Sequence, residues 1–222
     1  MPGCSIDHIA VTAPSLEVGA RFVLETLGVQ PQPGGEHPRM GTHNLLLRLG
    51  ETLYLEVIAP DPRAPAPGRP RWFGLDDLQA DAPPRLTTWI ARTTDIHATA
   101  SACTEDLGAI EPMRRGPLEW LITIPANGRV PLDGIAPALI EWPPDVHPAA
   151  QLPDFGLSLV ELKLCHPEPE RVSRLLASLD IVGPMTVTEP PHGETAHLLA
   201  VVDTPHGRRC LSAPEPMRQV RH

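Results

Sequence analysis

Two short apolar segments in the first part of the chain each carry one side chain that can bind a metal ion. Residues 6–11 contain His8, and residues 54–58, which lie 48 positions further on, contain Glu56. Because the side chains of a strand alternate between two faces, each residue is expected to point into a core or a cavity. A buried carboxylate without a partner is costly, and a divalent cation held between His8 and Glu56 would satisfy both groups.

Both residues also have simpler structural interpretations. His8 could be a strand histidine that hydrogen-bonds to the backbone, and Glu56 could pair with Arg48 on the neighbouring predicted strand. Residue type alone leaves these alternatives open.

The first segment opens a unit of one strand, one helix and three strands. Ser15 is a plausible helix N-cap, apolar residues then recur every three to four positions, and Gly28 is a typical C-terminal stop. The predicted strands of this unit lie at 6–12, 34–40, 43–49 and 53–59. Glu56 thus lies in the last strand of the unit that His8 opens.

The same order of elements recurs in the middle of the chain. A strand is predicted at 86–93, followed by a helix from the N-cap Asp95 to Gly108, and then by strands near 112–116, 118–125 and 135–142. Trp89 aligns with His8, and Glu141 aligns with Glu56. Nearly equal offsets at both ends of the unit indicate a duplication.

A weaker third copy follows, with a strand at 157–165, a helix that ends near Gly183, and apolar runs at 185–189, 197–202 and 208–212. The predicted organisation is a first module at 1–60, a proline-rich linker at 61–85, a second module at 86–148 and a third, degenerate module at 154–215. The linker is long for a structureless connection, which makes it a candidate lid or packing arm.

Composition narrows the classes of partner and compartment. A formal net charge of −9 disfavours nucleic acid and anionic membrane surfaces. The four cysteines are scattered, which indicates free thiols in a reducing compartment. No signal peptide and no apolar run of about 18 residues is visible, so we expect a soluble, cytoplasmic protein.

The doubled unit, with His in its first strand and Glu in its last, resembles the vicinal oxygen chelate superfamily. The run at 34–44, which contains Gly34-Gly35, His37 and Gly41-Thr42-His43-Asn44, resembles its glyoxalase-like domain branch. The resemblance implies an α+β fold in which tandem βαβββ modules form a cupped mixed sheet. We call the concave side of this sheet the cup.

The resemblance also implies a divalent metal ion in the cup, held by side chains from the first and last strand of each module. Carried over by position, the ligands are His8, Glu56 and Glu141, whereas Trp89 stands at a ligand position and cannot bind a metal. Imidazole and carboxylate ligands suit Fe, Mn, Zn or Ni, and the residues do not choose among these metals.

The implied function is a metal-dependent isomerase, lyase or dioxygenase that acts on a small substrate chelated through vicinal oxygens. Glu141 is predicted as metal ligand or general base, and one of His37 and His43 as a ligand, acid or substrate contact, unless the two histidines only form a polar hairpin. The alternatives are a metal-free binding protein of the bleomycin-resistance type and a structural domain with an inactive cup. A homodimer is also predicted.

Overall fold

The structure is a computed structural model that describes residues 3–144 and 146–212. The first unit contains β1 (Ser5–Thr12), α1 (Leu16–Leu27), β2 (Gln32–His37), β3 (Thr42–Arg48) and β4 (Tyr54–Pro60). The second contains β5 (Arg85–Arg92), α2 (Ile96–Ala102), β6 (Ala109–Arg115), β7 (Leu118–Ile124) and β8 (Ala138–Glu141). The third contains β9 (Ser158–Cys165), α3 (Pro169–Ser178), β10 (Met185–Thr188), β11 (His197–Thr204) and β12 (Gly207–Ser212).

Helix α1 begins and ends where its residue types predict. The Ser15 side chain accepts a hydrogen bond of 3.3 Å from the backbone N–H of Val18, and Gly28 adopts a left-handed φ of 76°. The buried face contains Ala20 and Val23, which pack against the sheet. In the described part of the chain, no helix is long and apolar enough to cross a membrane.

Helix α2 is shorter than the apolar spacing predicts, because it ends at Ala102 and not near Gly108. The residues that follow make contacts with α3. Arg171 binds the Glu105 carboxylate through two hydrogen bonds of 2.7 and 2.8 Å, and Ser178 accepts one from the backbone of Thr104. Contacts with a distant helix therefore override the local helical pattern.

The first two units form one eight-stranded sheet with the order β2-β3-β4-β1-β5-β8-β7-β6. In each unit the last strand pairs in parallel with the first, β4 with β1 and β8 with β5. The two first strands, β1 and β5, pair antiparallel in the centre of the sheet. This is the predicted α+β architecture of tandem βαβββ units, and the structure confirms it.

The sheet curls until its two edge strands meet. Arg39, just after β2, donates a hydrogen bond of 2.9 Å to the carbonyl of Pro112 on β6, and Gly35 on β2 lies against the side-chain stem of Arg115. Trp72 and Phe73 from the proline-rich linker pack into the concave side with residues of both units. The linker is therefore a packing arm that closes part of the cup.

The third unit forms a separate sheet with the order β10-β9-β11-β12. Its first strand, β9, pairs in parallel with β10 and antiparallel with β11, whereas its last strand lies at the edge. The pairing thus differs from that of the first two units, although the order of elements is the same. Residue 215, the predicted limit of this module, lies outside the described residues, as does residue 1 of the first.

Candidate functional site

The site begins with an irregularity in β1. Ile6 pairs with Ala91 and His8 pairs with Ile90, so Asp7 is an extra residue that breaks the register against β5. Such a bulge redirects side chains and interrupts the strict alternation of a strand. The carboxylate of Asp7 and the ring of His8, although adjacent in sequence, are therefore in contact within the cup.

Asp7 is completely buried and accepts hydrogen bonds from three side chains. His8 Nδ1 lies 2.6 Å from Asp7 Oδ1, and Trp142 Nε1 and His147 Nε2 each lie 3.0 Å from Asp7 Oδ2. His147 Nδ1 accepts from the backbone N–H of Ala149, which leaves Nε2 as the donor. Burial favours a raised pKa for Asp7, but the hydrogen bonds from His147 and His8 outweigh it and lower the pKa.

His8 lies between two carboxylates. Its Nδ1 donates to Asp7, and its Nε2 lies 3.6 Å from Glu56 Oε2. The ring stacks on Tyr54 with a centroid distance of 4.5 Å, which fixes its plane. Burial opposes the charged form, but the hydrogen bond to Asp7 and the Glu56 carboxylate 3.6 Å away prevail and raise the pKa of His8 to about 9. At neutral pH the ring is an imidazolium.

Glu56 is positioned by Asn44 from the neighbouring strand. Asn44 Nδ2 donates a hydrogen bond of 2.5 Å to Glu56 Oε1, and Asn44 Oδ1 accepts one of 2.9 Å from the Gly35 backbone. A Cβ atom on Gly34 would lie 2.1 Å from Asn44 Oδ1, so the glycine leaves the room that this side chain needs. Burial raises the pKa of Glu56, but His8 and Asn44 outweigh it and lower the value to about 2.

His37 faces the same space but is electrically different from His8. It is buried, its Nδ1 lies 3.1 Å from Thr42 Oγ1, and its ring meets Trp72 edge-on at 5.1 Å. Burial lowers the pKa of His37 to about 4; the Glu56 carboxylate opposes this shift only in part, and the charges of Arg115 and His8 add to it. The cup therefore holds one charged and one neutral imidazole at neutral pH.

These side chains surround an inner cavity of about 20 Å³, enough for one water molecule. The cavity is lined by His8, His37, Tyr54, Glu56, Trp72, Phe73, Arg115, Trp120, Ile122, Ile140 and Trp142. Beyond it lies an open outer groove of about 1370 Å³, which shares Arg115, Trp120 and Trp142 with the inner cavity. Those three side chains form the wall between the two spaces.

Comparison with known proteins assigns the family. A family model described as a glyoxalase-like domain matches residues 6–179. The chain belongs to this family. The glyoxalase-like match and the tandem βαβββ sheet also confirm membership of the vicinal oxygen chelate superfamily, whose members are small-molecule enzymes or binding proteins. None of the proteins with curated descriptions matches this glyoxalase-like chain.

Solved structures share the architecture at low sequence identity. A hypothetical protein from Staphylococcus aureus aligns with a TM-score of 0.56 and 14% identity, over 96% of this chain and 86% of that one. Methylmalonyl-CoA epimerase from Mycobacterium tuberculosis aligns with a TM-score of 0.41 and 18% identity, over 63% of this chain and 88% of the epimerase. The Streptomyces coelicolor methylmalonyl-CoA epimerase in complex with 2-nitronate-propionyl-CoA aligns with a TM-score of 0.42 and 17% identity, over 64% of this chain and 96% of the epimerase. The first of these likenesses extends the shared fold to nearly the whole glyoxalase-like chain.

Among the predicted site residues, the fold brings His8, Glu56 and His37 together and places Glu141 and His43 elsewhere. Ile140 lines the inner cavity, whereas the next residue, Glu141, borders the outer groove, and its Oε2 accepts a hydrogen bond of 2.7 Å from the Ile96 N–H at the start of α2. His43 likewise lies on the face opposite Asn44, with Nδ1 4.0 Å from Asp61 Oδ1.

The predicted set of three metal ligands is therefore not assembled. Only His8 and Glu56 are close, and in the residues that the structure describes no three His, Cys, Asp or Glu side chains converge as a metal site requires. Trp89 lies outside the cup, because its indole N–H donates to the carbonyl of Ile135 in the core behind the sheet. Ile90 stands opposite His8 instead.

Sequence reasoning missed three parts of this glyoxalase-like site. Asp7 was visible beside His8, but regular alternation places neighbouring residues on opposite faces. His147 follows the last predicted strand of the second unit, and nothing in the sequence around it points to Asp7. Arg115 lies in a polar stretch at the end of β6, where an arginine is ordinarily exposed. The run that contains Gly34 and Asn44 was recognised only as a family signature.

Proposed function

We propose that this protein is an enzyme that transfers a proton at a carbon next to a carbonyl group of a small oxygenated substrate. The observation that carries the proposal is the buried chain Asp7–His8–Glu56, in which an imidazolium lies between two carboxylates at the wall of a cavity. Glu56 acts as the base, His8 as the hydrogen-bond donor to the substrate oxygen, and Asp7 orients His8.

The groups can exchange roles when the substrate binds. The carbonyl oxygen accepts the Nε2–H of His8, which removes one of the partners that hold the pKa of Glu56 low. Burial then raises the basicity of Glu56. Glu56 takes the proton from the carbon, the bonding electron pair moves to the oxygen, and the His8 imidazolium stabilises the resulting enolate. Return of the proton to a carbon completes an isomerisation.

This chemistry uses only residues of the chain. The imidazolium supplies the positive charge that the resemblance assigns to a metal ion. A requirement for a metal ion is tested by the same exchange assay after chelation and after addition of Fe(II), Mn(II), Zn(II) or Ni(II). Activity that survives chelation supports the acid–base assignment to His8 and Glu56.

The test is exchange of carbon-bound hydrogen with D₂O, followed by NMR. The panel comprises small 2-oxo acids, 2-hydroxycarbonyl compounds and 1,3-dicarbonyl compounds. We expect wild-type protein to accelerate exchange in at least one compound, and Glu56→Gln and His8→Gln to lose about 10²–10⁴-fold of that rate. Glu161→Gln, which changes a carboxylate in the separate sheet, is the matched control. Exchange no faster than in buffer across the panel would overturn the proposal.

A second candidate function is metal-free binding of a planar apolar molecule. Trp120 and Trp142 stack obliquely with centroids 5.1 Å apart, in the wall beside the outer groove, and such a pair suits an aromatic ligand. A planar compound that raises the melting temperature of wild type and Glu56→Gln equally, without any proton exchange, would favour binding over catalysis.

A further inference from the structure

The structure assigns a binding role to Arg115: we propose that its guanidinium binds the carboxylate of a small organic acid that enters the cup from the outer groove. The inference deepens the proposed function by naming the anionic group of the substrate. It rests on that function only for the statement that the bound acid is also the reacting molecule.

Among the arginines that the structure describes, Arg115 is the one whose side chain is buried, and it has no partner. It is 8% exposed, and in the described part of the chain no hydrogen bond or ion pair to it is found. Several arginines at the surface, in contrast, pair with carboxylates, for example Arg129 with Asp77 and Arg208 with Asp203. A buried cation without a counter-ion is costly, so a ligand that supplies the negative charge would be bound strongly.

The position of Arg115 is fixed by packing against β2. Its Cγ and Cδ atoms lie 2.8 and 2.9 Å from the place where a Cβ of Gly35 would be, so only a glycine allows the stem to lie there. The side chain lines both the inner cavity and the outer groove. An acid bound in the groove therefore meets the guanidinium first, and the inner cavity beyond it has room beside Glu56 only for a group about the size of one water molecule.

Two more donors around the inner cavity are also unsatisfied. The indole N–H groups of Trp72 and Trp120 are buried without a hydrogen-bond acceptor in the described residues. Asp7 and Glu56, the carboxylates of the cup, already accept from His8, Asn44, Trp142 and His147. The free donors thus require acceptors from outside the chain, and a carboxylate offers two oxygens with a negative charge.

The test compares binding of charged and uncharged ligands. Acetate, glycolate, pyruvate and benzoate are titrated into wild-type protein by calorimetry and ligand-observed NMR, with pyruvamide as the uncharged counterpart of pyruvate and inorganic phosphate as a second anion. Arg115→Met keeps the stem that packs on Gly35 but removes the charge, and Arg115→Lys keeps a charge. Arg208→Met removes a surface cation from the separate sheet and is the matched control.

We expect at least one carboxylate to bind wild type and Arg208→Met equally, and to bind Arg115→Met at least tenfold more weakly, with partial recovery in Arg115→Lys. Pyruvamide should show no detectable binding to wild-type protein at concentrations at which that carboxylate saturates it. Arg115→Met should melt at the same temperature as wild type or higher, because it removes a buried unpaired charge. Binding of phosphate in place of every carboxylate would overturn the assignment to an organic acid.

The outcomes separate this inference from the proposed function. Carboxylate binding that depends on Arg115 but is not accompanied by proton exchange supports the anion site and counts against the enzyme. Proton exchange whose KM is unchanged in Arg115→Met supports the enzyme and overturns the anion site. Affinity that is equal in wild type and Arg115→Met, or absent for all four acids, also overturns the role assigned to Arg115.

Discussion

His147 donates a hydrogen bond of 3.0 Å from Nε2 to Asp7 Oδ2, across 140 residues of sequence. Trp142 donates to the same oxygen, so the carboxylate that orients His8 is itself held by the segment that follows β8. Asp7 and His8 thus come from the first unit, whereas Trp142 and His147, which hold Asp7 in place, come from the second. The site is complete only when the two units have docked.

Asp7→Asn is expected to weaken both the fold and the site. The substitution removes a buried charge from three donors, and we expect the free energy of unfolding to fall by about 3 kcal/mol, measured in urea. The pKa of His8, followed by NMR, should fall from about 9 towards its ordinary value, because burial remains and only Glu56 still favours the charged ring. Asp203→Asn at the surface should cost less than about 1 kcal/mol. A His8 pKa that stays near 9 in Asp7→Asn would contradict the assignment.

Stability should decline on the alkaline side because of His8. Its pKa is raised from 6.5 to about 9, so its contribution is fully present below pH 6.5 and is lost as the pH rises through 9. We expect a loss of about 2 kcal/mol between pH 6.5 and 9, measured by urea unfolding. In His8→Gln this decline should be largely absent. An equally steep decline in the variant would assign it to other groups.

Stability should also decline on the acid side, first because of His37. Its pKa is lowered from 6.5 to about 4, so the unfolded chain binds a proton that the folded chain excludes, and stability is lost as the pH falls from 6.5 towards 4. In His37→Gln the free energy of unfolding should change less with pH over this interval. Below about pH 4.5, protonation of Glu56 and Asp7 should destabilise wild type and variant alike. Identical curves above pH 4.5 would refute the role of His37.

Gly34 and Asn44 should be energetically coupled. Gly34→Ala places a methyl group 2.1 Å from Asn44 Oδ1 and should cost about 1–3 kcal/mol. In an Asn44→Ala background that clash is absent, so the double variant should be more stable than the sum of the single effects by about 1 kcal/mol. The remote pair Gly34→Ala and Asn127→Ala should be additive. If the effects of Gly34→Ala and Asn44→Ala on the free energy of unfolding simply add, the backbone shifts enough to avoid the clash, and the prediction is wrong.

Glu141 should act on helix α2 and not on the substrate. Glu141→Gln keeps an acceptor for the Ile96 N–H, so stability and the exchange rate should stay within about twofold of wild type. Glu141→Ala should lose about 1 kcal/mol of unfolding free energy with an unchanged rate. A large loss of rate, or of bound metal, in Glu141→Gln would restore the interpretation of Glu141 as a catalytic or ligating residue.

Much of the architecture could be predicted from the sequence. Strands and helices of all three units follow from local periodicity and caps, such as Ser15 and Gly28 around α1, because these signals depend on neighbouring residues. The duplication and the meeting of His8 with Glu56 follow from the order of elements. The predicted end of α2 near Gly108 was wrong, because contacts between Glu105 and Arg171 act over a long distance in sequence.

The face that each side chain occupies was decided by the tertiary structure. A strand has a period of two residues, so a shift of one residue transfers a side chain to the other face. That is why Glu141 caps a helix while Ile140 lines the cavity, and why the bulge at Asp7 brings two neighbouring residues into the cup. The curl of the sheet then buries Arg115 against Gly35, a contact between opposite edges that no local pattern records.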